Sequence, residues 1–395
     1  MRRTRRSIPA LQLVGLLVLV LTAVAATGNR DRTLTQGLTT SMTSCAPAVP
    51  SPPSRSLLSS RFLSVGGFPF GVAISSNRKW AFAASGHDLK VFEVGSDQLI
   101  PFRWIPLGET GAGIALSPNN QFIVIANGTT GGSLVSVRDA TSSTSEQTPL
   151  SIAAPAGVGA IEAAISPDSH YVFVTLEGSS AVAVFHVNVD TRGDLSATFL
   201  QTIHVASEPV GITMSPSGRW AYVVSEVGGG PNGRLTVINA RAAESGGSSP
   251  VVRSVRVGCS PVRVITSNNG VLVWVADRGS NSVEAYLTRN LLSGGEPKPV
   301  ITVHVGPAPV GLAIVGNRNV LAVVNSNRFG GSDGDIELVT FSLKPYLRAA
   351  PEGVIPAHYF PREIVSSPDG DLLLVADYGA GQLQLISVGP NHLTH

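Results

Sequence analysis

Charge is scarce in this chain. Only 14% of its 395 residues are Asp, Glu, Lys or Arg, and the formal net charge is +2. That balance, beside 43% hydrophobic residues, excludes a charge-rich disordered protein. No basic stripe interleaved with aromatics is found, so no nucleic-acid partner is expected. Sulfur is scarce as well, with two cysteines and three methionines. Cys45 and Cys259 are too few for a disulfide framework and read as two unpaired thiols. Ligands at usable spacing for structural zinc are missing. Neither H-E-x-x-H nor G-x-x-x-x-G-K-[ST] occurs, and the run Gly228–Gly230 precedes a strand rather than a helix. Asp333, Asp335 and Glu337 alternate but lack the closing Glu of an EF-hand loop. No metal and no cofactor is therefore expected.

What is present begins with a targeting segment. Arg2, Arg3, Arg5 and Arg6 precede the apolar run Leu11–Ala26, and Ala23-Val24-Ala25 has the small-x-small spelling of a cleavage site. The run is shorter than the roughly 20 residues of a membrane span, so a cleaved signal is expected and no span after cleavage. Thr4-Arg5-Arg6-Ser7-Ile8 partly matches a twin-arginine signal, which leaves the export route open. The reading is an exported protein, periplasmic or extracellular, with residues 1–25 as signal and 26–58 as a flexible Ser/Thr/Pro-rich tether. The globular part is then 59–389, with a short tail at 390–395.

The globular part repeats. Glu208–Glu226 reads as two short strands joined by the turn Ser215-Pro216-Ser217-Gly218. Aligned on Ser215, equivalent units are anchored at Ser75, Ser117, Ser166, Ser267, Val315 and Ser367, at intervals of 42 to 52 residues. Seven residues after each anchor stands an apolar residue: Phe82, Val124, Phe173, Tyr222, Trp274, Ala322 and Leu374. A third strand follows in each unit, and a fourth in all but the last. His204, Arg256 and His304 alternate with apolar residues in fourth strands and read as outward-facing groups. The last unit lacks its fourth strand, and Arg61–Val65 matches that pattern without a preceding unit. The expectation is an all-β, seven-bladed β-propeller of four-stranded blades, closed by this N-terminal strand completing the last blade. It is expected to be a monomer.

The stretch Pro209–Val224, P-x-G-x-x-x-S-P-x-G followed by an aromatic–Val strand, resembles the YVTN-type repeat of YncE-like and lactonase-like seven-bladed propellers. The resemblance covers about Arg61 to Val388. It implies either a binding protein or a lactone hydrolase of the 6-phosphogluconolactonase-like kind. The chain departs from the lactonase branch at Ala84-Ser85-Gly86-His87, where that branch has a Gly-Thr-Tyr-Thr-like stretch.

One column of the repeat breaks its own pattern. Two residues after the repeat's Pro position stand Gly71, Gly113, Glu162, Gly211, Arg263, Gly311 and Glu363. Arg362 adds a cation beside Glu363. Glu162, Arg263 and Glu363 are the candidate catalytic or binding residues, with an Arg suited to an anionic or carbonyl oxygen and carboxylates suited to a hydroxyl or a proton. The same residues can equally form a mutual ion-pair network that binds nothing. Loops at that end of the ring add Asp277, Arg278, Asn325, Arg328, Asp377 and Tyr378 as ligand-binding candidates. A small molecule, a cell-surface polymer or a protein at this funnel face is the expected partner.

Overall fold

The computed structural model describes Cys45, Leu58 and residues 60–388 apart from 129–130, 146–147, 156 and 229–231. The expected signal, the tail and all of the tether but Cys45 and Leu58 lie outside the described residues.

The repeated turn is held by its anchor serine. Each anchor hydroxyl accepts the backbone N–H five residues on, as Ser166 does from Tyr171 at 2.9 Å and Ser215 from Trp220 at 3.0 Å. The same hydroxyl donates to a polar side chain two residues on, from Ser267 to Asn269 at 2.8 Å and from Ser367 to Asp369 at 2.6 Å. The fourth turn residue returns its N–H to the anchor carbonyl, and in every blade but the sixth it does so from a left-handed backbone. Gly218, Gly270 and Gly370 adopt it without a Cβ penalty, whereas Arg78 (φ 56°), Asn120 (57°) and Ser169 (64°) hold it as ordinary residues. Blade six has Val315 at the anchor and buries it completely.

Strands joined by these turns pair antiparallel, and two more strands complete each sheet, giving seven four-stranded blades. The innermost strands are Pro69–Ile74, Gly111–Leu116, Ala160–Ile165, Pro209–Met214, Pro261–Thr266, Pro309–Ile314 and Pro361–Ser366. Ser60–Ser64 pairs with Gln382–Ser387 as the outermost strand of blade seven, which closes the ring as expected. Neighbouring blades cover both faces of each sheet, so second strands such as Leu272–Asp277 and Leu372–Asp377 are buried along their whole length. The apolar column from Phe82 to Leu374 is fully buried between blades. His204, Arg256 and His304 are exposed.

Two features place the axis chemistry. Every innermost strand carries a register shift at its start, as between Pro261 and Arg263 and between Pro361 and Glu363. Such a bulge twists the strand and re-aims the side chains beside it. These starts lie at the same end of the ring as the loops joining second and third strands, the funnel end.

Cys45 and Cys259 form a disulfide with Cα atoms 5.7 Å apart, which corrects the expectation of unpaired thiols. They are separated by 214 residues, so pairing follows from where the fold brings the two chain segments and not from any local spacing. Among the described residues no helix is long and apolar enough to cross a membrane.

Candidate functional site

Glycine and charge alternate around the axis for a steric reason. A Cβ on Gly71 would lie 2.8 Å from the Ala112 carbonyl oxygen of the next blade, and one on Gly211 2.8 Å from that of Val262. On Gly311 it would meet the Arg362 carbonyl oxygen at 2.9 Å. On Gly113 it would overlap the Glu162 carboxylate itself. The glycines let inner strands close on one another and leave the axis to the side chains of blades three, five and seven.

Those three side chains meet. The two terminal nitrogens of Arg263 donate one to Glu162 and one to Glu363, and all three side chains are at most 12% exposed. Further bonds hold the group in place. The Arg263 Nε donates to the Val310 carbonyl at 3.4 Å, and the Glu162 and Glu363 carboxylates accept the N–H of Ala163 (3.2 Å) and Ile364 (3.3 Å). Burial works against the Arg263 charge, but Glu363 and Glu162 outweigh it and raise its pKa. Burial lifts the Glu363 carboxyl to about 7, with Arg263 opposing and Glu162 adding to the rise.

One residue earlier in each repeat, at the bulge, lies a second ring: Phe70, Ala112, Ile161, Val210, Val262, Val310 and Arg362. Six members are apolar and the seventh is an arginine. This column was readable in the sequence beside the one that drew notice. The Arg362 guanidinium carbon lies 3.5 Å from the Phe70 ring centroid, with Tyr378 at 5.8 Å and Phe360 at 6.0 Å. Its Nε is buried without an acceptor. Burial, then the neighbouring Arg263 and Arg328, lowers its pKa to about 10.

Above this ring the loops close a small cavity of about 40 Å³, lined by Ile161, Val210, Val262 and Val310 with Arg263, Arg278, Arg328, Arg362 and Glu226. Arg278 pairs with Glu226 at 2.5 Å. Arg328 stacks on Phe360 (4.8 Å) and Phe329 (5.1 Å), and burial followed by Arg278 lowers its pKa. Burial raises the Glu226 carboxyl against the pull of Arg278, and raises Glu177 together with Glu226 and Glu208. Phe68 packs on Tyr378 at 5.4 Å. Phe68 and Phe329 are 57% and 74% exposed, so the mouth has an aromatic rim. Glu226, Phe329 and Phe360 were not singled out as binding candidates, because residues outside the repeat grammar carry no periodic signal.

The structure thus brings Glu162, Arg263, Glu363, Arg362, Arg278, Arg328 and Tyr378 to one end of the channel. Asp277, Asn325 and Asp377 reach the same end of the ring, opposite Pro261, Pro309 and Pro361, but do not line the cavity. Each is the last residue of a second strand and is fully buried. Asn325 donates to Asp335 (2.8 Å) and Glu337 (3.3 Å), which also accounts for two of the alternating acids. Burial and then Glu284 raise the Asp277 pKa, and burial lifts Asp377 to about 7. Gly330-Gly331-Ser332-Asp333-Gly334 has the spelling of a G-x-S-x-G nucleophile elbow, but it joins two antiparallel strands instead of a strand and a helix.

No family model and no curated protein matches the chain. Its fold is matched among solved structures. A chain of a mitotic checkpoint complex aligns with TM-score 0.64 and 15% identity over 90% of this chain and 98% of its own. A chain of hydrazine synthase from Kuenenia stuttgartiensis aligns with TM-score 0.62 and 16% identity, over 82% and 97%. The β-propeller domain of Cps50 (Swd1) from Myceliophteria thermophila gives 0.60 and 10%, over 83% and 98%. At these identities the likeness shows the fold alone. The class of protein is a seven-bladed, all-β propeller.

Proposed function

We propose that this chain is an exported binding protein whose ligand or partner site is the funnel end of the channel. The observation that carries the reading is the convergence there of arginines and partly exposed aromatics from blades five, six, seven and one. Arg, Tyr and Phe are the residue types that dominate binding hot spots. The repeat's likeness to YVTN-type propellers agrees with a binding role, and a disulfide is at home in the oxidising compartment to which a signal segment leads.

A lactone hydrolase would need Arg263 free to polarise a carbonyl and Glu162 or Glu363 free to activate water. The three are engaged with one another, so the binding reading stands ahead. The test is a binding screen of the disulfide-intact chain against sugar lactones, sugar acids, polysaccharide fragments and peptides. Binding is expected to fall at least about tenfold in Phe329→Ala combined with Phe68→Ala, since hot-spot truncations cost about 2 kcal/mol or more. It should be unchanged in Tyr346→Ala, an exposed aromatic (79%) on the opposite end. Ligands insensitive to the funnel pair would sink the reading, and turnover of a lactone would favour the hydrolase.

A further inference from the structure

We propose that the funnel floor binds an oxyanion, a carboxylate or phosphate group of the ligand, between the guanidinium groups of Arg328 and Arg362. This rests on the reading of the funnel end as the binding site and names the chemistry it takes.

Four arginines line the cavity, and two of them are already matched: Arg263 by Glu162 and Glu363, Arg278 by Glu226. Arg328 and Arg362 have no carboxylate in salt-bridge contact among the described residues. Both guanidinium groups instead sit over aromatic rings, Arg362 over Phe70 and Arg328 over Phe360 and Phe329. A guanidinium without a carboxylate partner keeps its N–H donors in a planar fork that matches a carboxylate or phosphate bidentately.

Position in the repeat sharpens the argument. Arg362 occupies a bulge position that is apolar in the other six blades, and the chain buries its Nε there without an acceptor. A buried unsatisfied donor costs free energy unless something completes it. Arg362 and Arg328 also repel, so the pair is held together by the fold and not by mutual attraction. An oxyanion resolves both conditions at once. The cavity of about 40 Å³ has room for one small charged group, with the remainder of the ligand lying on the aromatic rim.

The experiment uses the disulfide-intact chain and three salts at equal ionic strength: sodium phosphate, sodium citrate and sodium chloride. Saturable stabilisation against heat is expected from phosphate, citrate or both, beyond that from chloride. Phosphate alone identifies a phosphate site and citrate alone a carboxylate site. Arg328→Gln and Arg362→Gln should each weaken the effect by about tenfold or more, as for a lost charge-assisted hydrogen bond. Arg192→Gln, whose side chain is 79% exposed in a distant hairpin, should leave it unchanged. If Arg362→Gln fails to fold, Arg328→Gln at the mouth and Arg362→Lys, which keeps charge but not the fork, decide the matter. Stabilisation no greater than that from chloride, or undiminished in the arginine variants, overturns the proposal. A neutral ligand that binds the funnel and is lost in the Phe329/Phe68 variant, while neither oxyanion binds, would overturn the oxyanion assignment and leave the funnel reading standing.

Discussion

Arg263 lies between two carboxylates, Glu162 and Glu363, in a largely buried cluster. Burial disfavours the charged form of Glu363 and Glu162 adds to the effect, which is why its pKa rises to about 7 although Arg263 and Arg362 oppose the rise. The sign of the consequence follows. A carboxyl with a folded pKa above its unfolded value near 4.5 contributes stability fully below 4.5 and loses it as pH climbs through about 7. Glu363→Gln keeps the shape and carries no charge. Its unfolding free energy in urea is expected to fall less between pH 5 and pH 8 than that of the native chain, by up to about 3 kcal/mol. An unchanged pH slope in the variant would show that Glu363 is ionised across the range. The alternation of glycine with Glu162, Arg263 and Glu363 was legible because the repeat supplies seven aligned positions and three of them break rank. Their mutual engagement stood as one of two readings, since spacing says that charges share an axis and not whether they pair with one another or with a ligand.

Turns and strand ends are where the sequence spoke most clearly and where it misled. The anchor serine recurs because one hydroxyl both accepts the N–H that opens the second strand and donates to the turn's Asn or Asp. Ser367→Ala leaves the Leu372 N–H and the Asp369 carboxylate each short of a partner in a turn whose anchor is fully buried. A loss of about 1 kcal/mol is expected, read as a lower urea midpoint with an unchanged slope. No loss would mean that the turn closes on backbone bonds alone, as the Val315 turn of blade six does. Three residues ten positions after their anchors were assigned to the funnel because they border loops at that end. Asp277, Asn325 and Asp377 are instead the final paired residues of their strands, opposite Ser282, Asp335 and Gln382. A shift of a single residue at a strand end separates a loop side chain from a buried one, and composition cannot resolve it.

At the scale of the whole ring, closure depends on two long-range links of opposite legibility. The outer strand Ser60–Ser64 could be anticipated, because an orphan strand at one terminus and a missing strand at the other complete each other. The Cys45–Cys259 disulfide could not, because two cysteines 214 residues apart give no local signal of proximity. Yet it fastens the segment preceding the closing strand to the end of Val251–Cys259, the fourth strand of blade four. A link spanning so much chain restricts the unfolded ensemble strongly, and removing a native disulfide costs about 2–5 kcal/mol. Cys259→Ser is therefore expected to unfold at lower urea than the oxidised native chain, and dithiothreitol should lower the native chain to the variant's level while leaving the variant unmoved. Equal midpoints for oxidised and reduced native protein would show that the blades alone set stability. In that case the disulfide's contribution would be to keep Cys45 beside Cys259, next to the start of the blade-five strand that carries Arg263 to the axis.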